Sequence, residues 1–343
     1  LGRVAVYEEL WRRLPWLAPT YSSFETSLEA FPTVCKGVRI VRDYWALPYV
    51  AIALYCVMVF LFAAAAAKKK TTHSQRRTPT MLRALTATWN LSLSAFSSIG
   101  ALRTAPKLVS DWVDHGFLST VCSRPTEAGW GLGVTGIWVQ LFVLSKFVEL
   151  GDTLFVGLAS DKKPKVPFAH WFHHAATLYF CWVSYVHESS YALWFVATNY
   201  SVHAVTYFYV GLRALGAAQS ASSSQSPSIL ASLLVAVAQI AQVVCGVFVQ
   251  AVAAYHELYV HDCNGVDHGT LLVGSLMYGT LLYLFLDSLR ARLFAAAKRD
   301  TAGPASRATV SSVTSGKKKT SEDDDAVLCC TFPGQNDAAA AFA

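Results

Sequence analysis

The sequence has few charged residues. Only 15% of its 343 residues are Asp, Glu, Lys or Arg, whereas soluble domains carry about 25%. Hydrophobic residues make up 54% of the chain. This composition fits a polytopic membrane protein better than the one or two soluble domains that the length alone would suggest. The basic start, short apolar core and cleavage site of a secretory signal peptide are not found.

The sequence also lacks the pattern of a nucleic-acid-binding surface. Its net charge is only +6, and its Lys and Arg residues are clustered between apolar segments. A nucleic-acid site would interleave basic residues with exposed aromatic ones. We therefore expect no nucleic-acid partner.

Apolar runs of about 20 residues are long enough to cross a bilayer as helices. Seven segments qualify, and we predict an all-α protein with seven transmembrane helices. The segments are 44–67, 81–102, 131–158, 168–186, 191–215, 228–254 and 270–294. Around this transmembrane domain (44–296) lie an N-terminal segment, 1–43, and a C-terminal tail, 297–343. We expect the tail to be disordered because its polar residues show no apolar period.

Basic residues near the helix ends predict the orientation of the protein. They concentrate in loop 68–77, loop 162–165 and the tail from Lys298 onward, which share one side if seven helices cross. We predict a cytosolic C-terminus and a lumenal N-terminus. Cys122 and Cys263 fall in the two longer loops of the opposite side, where an oxidising compartment favours a disulfide between them.

Polar residues inside the predicted spans are costly, since a charge at the bilayer centre costs roughly 2.5–3.5 kcal/mol on insertion scales. The stretch KFVELGDT places Lys146, Glu149 and Asp152 at three-residue intervals, on one face of a helix. Lys146 and Glu149 can pair on that face. A structural ion pair is therefore the alternative to a functional role.

A histidine cluster opens the fourth predicted span. In HWFHH, His170, His173 and His174 occupy positions i, i+3 and i+4 and face the same way. Each buried imidazole needs hydrogen-bond partners, so three together exceed what packing requires. We predict that this cluster is functional.

Polar residues also mark later spans. Asn199, His203 and Tyr207 recur every four residues in NYSVHAVTYFY and form a stripe along one helix. Further buried amides could bind substrate or bridge helices; they are Asn90, Gln239 and Gln242.

The histidines leave two kinds of chemistry open. HxxHH is similar to the boxes of membrane di-iron desaturases, but those enzymes use several such boxes, and of the other histidines only His203 lies in a predicted span. A single-metal site built from His173, His203 and a carboxylate remains an alternative. The other reading is a neutral imidazole acting as nucleophile or general base, with no metal.

Taken together, four motifs resemble those of the ELO family of fatty acid elongases, the membrane 3-ketoacyl-CoA synthases. They are KFVELGDT, HWFHH, NYSVHAVTYFY and QIAQ, in the family order, and the resemblance covers about residues 44–296. Thr206, Val210 and Ala236 depart from residues that are frequent in the family. These departures bear on substrate preference rather than on the reaction.

The resemblance implies condensation of a long-chain acyl-CoA with malonyl-CoA to give CO2, CoA and a 3-ketoacyl-CoA two carbons longer. It implies six helices in a ring around a narrow acyl tunnel, in the endoplasmic reticulum membrane. CoA thioesters are the substrates, and no further cofactor is expected. The implied neighbours are membrane lipid and the ketoacyl-CoA reductase, dehydratase and enoyl reductase of the elongation cycle; a homo-oligomer is left open.

The same resemblance assigns roles to residues. His173 attacks the acyl thioester in a ping-pong reaction, or acts only as a base in a one-step alternative. His203 and Asn199 orient the malonyl unit or stabilise its enolate. Residues that position His173 or hold histidine tautomers are His170, His174, Glu149 and Asp152. Residues that contact substrate are Lys146, Tyr207, Gln239, Gln242 and Asn90. Two alternatives stay open, a metal-dependent lipid oxidase or desaturase-like enzyme and a non-enzymatic seven-helix lipid transporter.

Overall fold

The structure is a computed structural model. It describes residues 10–26, 33–68, 80–159, 166–219, 229–263 and 265–301. These residues form helices joined by turns, and no β-strand occurs among them, so the all-α prediction is confirmed for this part of the chain. Most of the basic loop 68–77, the loop 162–165 and the tail from 302 lie outside the described residues, and the predictions about them stay predictions.

Twelve α-helices are present in the described ranges, together with a 3-10 helix at Pro15–Thr20 and a π-helical turn at His256–Val260. The first six are α1 Leu10–Arg13, α2 Ser23–Thr26, α3 Thr33–Asp43, α4 Leu47–Lys68, α5 Thr80–His115 and α6 Phe117–Cys122. The others are α7 Gly133–Glu149, α8 Asp152–Ala159, α9 Phe168–Val186, α10 Ala192–Gln219, α11 Ile229–Tyr255 and α12 His268–Thr301.

Each of the seven predicted spans contains a helix, but the third, 131–158, is wrong as a single helix because α7 and α8 are separate. At the break, the N–H of Gly151 bonds the carbonyl of Val148 in a tightened turn. The Trp89 ring packs so closely that a Cβ at Gly151 would lie 3.1 Å from it. Asp152 then opens α8, where an acidic side chain complements the positive end of the helix dipole.

Three helices of the described chain are long and apolar enough to cross a membrane. They are Leu47–Ala65, Ala231–Val260 and His268–Arg290. Polar residues lower the hydropathy of α5, α9 and α10, and the break shortens α7. Whether these four helices also cross the membrane stays a prediction.

The packing of the long helices brings α7, α9 and α10 together around the polar motifs. The most extensive contact is between α5 and α10. From α10 the contacts continue to α11, then α12, α9 and α7, and α7 in turn packs on α5. Helix α4 packs mainly on α9, so much of its apolar surface is left uncovered by the protein.

The end of the bundle remote from HWFHH is tied by covalent and polar links. Cys122, at the end of α6, forms a disulfide with Cys263 in the segment before α12, with their Cα atoms 4.5 Å apart. The N–H of Ser190 bonds the carbonyl of Gly265 at 2.9 Å, and its hydroxyl donates to the carbonyl of Val121. The α9–α10 turn is thereby fixed to both cysteine-bearing segments.

Candidate active site

A buried ion pair joins α7 to α10. Lys146 and Glu149 are 3% and 6% exposed. The Lys146 ammonium donates to both oxygens of Glu149, at 2.7 and 2.9 Å, and to the side-chain oxygen of Asn199 at 3.1 Å. Ser145 donates to Glu149 at 2.8 Å. All three ammonium donors are thus engaged inside the protein, which argues against the predicted contact of Lys146 with CoA.

Asn199 connects this hydrogen-bond network to His203. Its amide nitrogen lies 3.1 Å from Nε2 of His203, and because an amide nitrogen only donates, Nε2 must accept. A neutral His203 ring then carries its proton on Nδ1, which faces Glu149 at 3.9 Å. Glu149, Lys146 and Asn199 together fix the position and the tautomer of His203.

Asp152 belongs to a separate polar cluster. Its carboxylate accepts hydrogen bonds from the Trp89 indole and from the Tyr207 hydroxyl at 2.7 Å. The structure therefore pairs Asp152 with an indole and a phenol, and not with the histidine tautomers predicted for it. Tyr207, predicted to contact substrate, has its hydroxyl committed to Asp152.

The three histidines of HWFHH face different partners. His170 is 1% exposed, and its Nε2 lies 3.0 Å from the Thr153 hydroxyl, which also bonds the Tyr55 hydroxyl at 2.7 Å. His174 packs against the His170 ring, with centroids 4.5 Å apart. These two buried imidazoles form the wall behind His173.

His173 is oriented by Thr177, one turn along α9. The threonine hydroxyl lies 3.3 Å from Nδ1 of His173 and directs its own proton to the Met277 sulfur at 4.0 Å. It can therefore accept from Nδ1. In that arrangement Nε2 of His173 keeps its lone pair, as a nucleophile or base requires.

One cavity brings the two motifs together. It measures about 50 Å³ and is lined by His173 of α9 and by Asn199 and His203 of α10. Gln239 and Gln242 also line it, as their predicted contact with substrate requires. Aromatic and sulfur-containing side chains form most of the remaining wall; they include Phe142, Phe180, Cys181, Phe195, Met277 and Tyr278.

Asn90 does not line this cavity, and its amide nitrogen donates to the carbonyl of Thr86 in its own helix at 2.7 Å. The structure gives no support to the predicted contact of Asn90 with substrate. The structure also gives no support to the single-metal alternative. Among the described residues, no group of three or more His, Cys, Asp or Glu side chains is arranged to hold a metal ion.

The comparison with known families shows which family the chain belongs to. The profile of the ELO family, described as GNS1/SUR4, matches residues 40–299. The chain belongs to the ELO family.

Curated proteins from different organisms are also similar to this chain. Fatty acid elongase 1 of Trypanosoma brucei brucei is 35% identical, covering 69% of this chain and 75% of that protein. Fatty acid elongase 3 of the same organism is 31% identical, covering 87% of this chain and 98% of its own length. Very long chain fatty acid elongase 6 of Gallus gallus is 35% identical over 53% of this chain and 63% of that protein. No solved structure gives a significant match.

Three residues of this ELO family site are not predicted from the motifs. Thr177 had a usable signal, since it lies one turn after His173 on the same helix face. Trp89 and Tyr55 had none, because they reach the site from α5 and α4, at sequence separations of 63 and 98 from their partners.

Proposed function

We propose that this protein is a membrane fatty acid elongase that condenses an acyl-CoA with malonyl-CoA to give a 3-ketoacyl-CoA, CO2 and CoA. The observation that carries the proposal is the shared cavity, into which α9 presents His173 and α10 presents His203. Family membership and the fatty acid elongases among the relatives supply the substrate class.

In the first half-reaction, Nε2 of His173 attacks the thioester carbonyl of the acyl-CoA. The carbon–sulfur bond breaks, an acyl-imidazole forms and CoA leaves as the thiol, with the proton that the imidazole gives up on acylation. Thr177 supports this step because its bond to Nδ1 leaves Nε2 free. An apolar wall that excludes water protects the acyl-imidazole from hydrolysis.

In the second half-reaction, malonyl-CoA loses CO2 and the resulting enolate carbon attacks the acyl carbonyl. A carbon–carbon bond forms, the bond to Nε2 of His173 breaks, the imidazole takes up one proton from solvent and the 3-ketoacyl-CoA is released. Asn199 and His203 both line the cavity and are held by the Lys146–Glu149 pair. The amide of Asn199 has a second N–H that can stabilise the enolate oxygen, and His203 is placed to orient the malonyl thioester. Pre-oriented donors of this kind stabilise developing charge without reorganising.

The membrane setting of this reaction is part of the proposal. The closed packing order α5–α10–α11–α12–α9–α7 supports a ring of six helices, with α4 outside it and the acyl chain inside. The predicted orientation places HWFHH near the cytosolic face of the endoplasmic reticulum membrane, where CoA can remain in water. The disulfide lies at the opposite end of the bundle, which this orientation would make the lumenal end.

Purified protein in detergent tests the reaction. With acyl-CoA and malonyl-CoA labelled at the free carboxylate, we expect acyl-CoA-dependent release of labelled CO2 and a stoichiometric 3-ketoacyl-CoA product. The control omits acyl-CoA, since uncoupled decarboxylation would not need it. A folded protein that binds acyl-CoA and releases no CO2 would favour the lipid-transporter alternative and overturn the proposal.

Replacing Tyr55 with phenylalanine tests whether α4 supports the histidine cluster. The variant removes the hydroxyl that bonds Thr153, which in turn bonds His170. We expect kcat to fall about three- to ten-fold, as for the loss of one hydrogen bond worth roughly 0.5–1.5 kcal/mol, with KM little changed. The matched control is Tyr49→Phe, in the same helix but 52% exposed; equal activity of the two variants would contradict this role.

A further inference from the structure

The N-terminal segment runs as a strap along α5. This strap (residues 10–26, comprising α1, the 3-10 helix and α2) bonds α5 at two points: Arg13 pairs with Asp114 and Glu25 pairs with Arg103. The two anchor points on α5 are about 16 Å apart along its axis, and the strap runs in the opposite direction to the helix. The strap precedes the region matched by the family profile, which begins at residue 40.

The inner anchor is a buried arginine. Arg103 is 1% exposed, and its guanidinium donates to both oxygens of Glu25, at 2.9 and 3.2 Å. It also donates to the Thr20 hydroxyl at 3.0 Å and to the Thr20 carbonyl, and the Tyr21 ring lies 3.8 Å from its central carbon. These partners all belong to the strap. A fork of two parallel bonds to a carboxylate is a strong and geometrically specific pairing.

We call the pairing of Arg103 with Glu25 and Thr20 the clamp. Glu25 extends the clamp to α7. The Trp138 indole donates to the Glu25 carboxylate at 3.0 Å. Trp138 also accepts a hydrogen bond, through its backbone carbonyl, from the Tyr200 hydroxyl at 3.0 Å. The Tyr200 ring then packs on Phe142, with centroids 5.1 Å apart, and Phe142 is part of the cavity wall. A continuous line of contacts therefore joins the strap to the cavity.

The line of contacts from the strap reaches the cavity at Phe142, whose ring lies 4.1 Å from the Lys146 ammonium, and other wall residues lie deeper, away from the histidines. Cys181 lies eight residues after His173 on α9, and Phe195 eight residues before His203 on α10. Both are therefore about 12 Å along the helix axis from the reacting imidazoles. We call Phe142, Phe180, Cys181 and Phe195 the cavity floor. Trp138 lies one turn of α7 beyond Phe142, further from Lys146.

The side chains of the cavity floor have to move when a long acyl chain binds. A cavity of about 50 Å³ holds only a few water molecules, so a long acyl chain must displace floor side chains. How far they move depends on what supports them from behind. For Phe142 that support comes from Tyr200, whose hydroxyl bonds Trp138. Glu25, held by Arg103, in turn accepts from the Trp138 indole.

We propose that the strap sets the acyl-chain length that this protein accepts, with Glu25 and Arg103 as positioning residues for Trp138 and the floor. The proposal rests on the elongase function proposed above. With the clamp closed, the floor resists displacement and longer acyl chains bind poorly. With the clamp open, Trp138 and Tyr200 can shift and longer chains are accommodated.

The clamp keeps its charge at physiological pH. Burial alone raises the pKa of Glu25, but hydrogen bonds from Arg103, Ser22 and Trp138 outweigh it and lower that pKa from 4.5 to about 2. Because the pKa in the folded protein is the lower one, the stabilisation is complete above the ordinary value. It is lost as the pH falls from there towards about 2.

Two variants open the clamp, and one leaves it closed. Glu25→Gln removes the charge opposite Arg103, and Trp138→Phe removes only the indole donor and keeps a ring. Arg13→Gln breaks the outer, exposed anchor and serves as the matched control. Each full-length variant is assayed with a series of saturated acyl-CoAs of increasing length and labelled malonyl-CoA, and kcat/KM is measured for each length.

We expect Glu25→Gln and Trp138→Phe to raise kcat/KM for the next longer acyl-CoA, relative to the preferred one, by about tenfold, since one methylene in a pocket is worth roughly 10–200-fold. Arg13→Gln should keep the wild-type ratio. A purely structural clamp would lower all rates equally and leave the ratio unchanged.

The outcomes separate this proposal from the proposed function. If the wild type elongates and Trp138→Phe, folded by size exclusion, keeps the wild-type ratio, the strap proposal is overturned alone. If the wild type elongates no acyl-CoA at any length, the proposed function fails and this inference fails with it. A variant Glu25→Gln that does not fold leaves Trp138→Phe to decide.

Discussion

Replacing His173 with alanine is expected to lower kcat for condensation by roughly three to six orders of magnitude, the range seen when a catalytic nucleophile is removed. His173 is the member of the histidine cluster that lines the cavity with its Nε2 free to react. His170 and His174 do not line the cavity. Alanine at position 173 leaves the Lys146 network in place, so the loss should appear in kcat rather than in folding.

The matched control for this prediction is His187→Ala. His187 follows α9 at its other end, and its side chain is 46% exposed, so its loss should leave condensation near wild type. Rates are compared on protein that is monodisperse in detergent and melts near the wild-type temperature. Substantial turnover by a folded His173→Ala variant would contradict the assignment.

Replacing Glu149 with alanine is expected to cause the largest loss of stability, about 3–5 kcal/mol, because it leaves the buried ammonium of Lys146 without its partner. Activity should fall as well, since the Glu149–Lys146 pair holds Asn199 and His203 in place. Thermal or denaturant unfolding of the purified variants measures the effect.

The double variant Lys146→Met/Glu149→Leu separates the two consequences. Removing both charges should recover much of the stability, because replacing a buried ion pair with apolar side chains is often neutral, while activity stays low. An additive double-mutant cycle would show that the two side chains do not interact. Asp114→Asn, at the exposed pair with Arg13, is the surface control and should change stability little.

The helices were predictable because apolar runs of sufficient length leave few alternatives to a helix in a bilayer. The break between α7 and α8 was not, since Gly151 is compatible with a helix by itself. At the break the Trp89 ring from α5 packs close to Gly151, and a contact of this kind has no signature in the local sequence.

The site was predictable in its types of residue and only partly in their roles. Helical spacing placed His170, His173 and His174 on one face, but it could not show that only His173 reaches the cavity. Lys146 and Asp152 illustrate the same limit, because their partners Asn199 and Tyr207 lie on another helix. Which polar residue meets substrate and which supports it depends on tertiary packing.

Intact mass measured after incubation with acyl-CoA alone, without malonyl-CoA, tests the central claim that His173 carries the acyl group. The account predicts a mass increase of one acyl group on the wild type and on His203→Ala, and none on His173→Ala. An adduct of undiminished amount on His173→Ala would contradict the claim, as would a wild type that elongates acyl-CoA without ever forming an adduct.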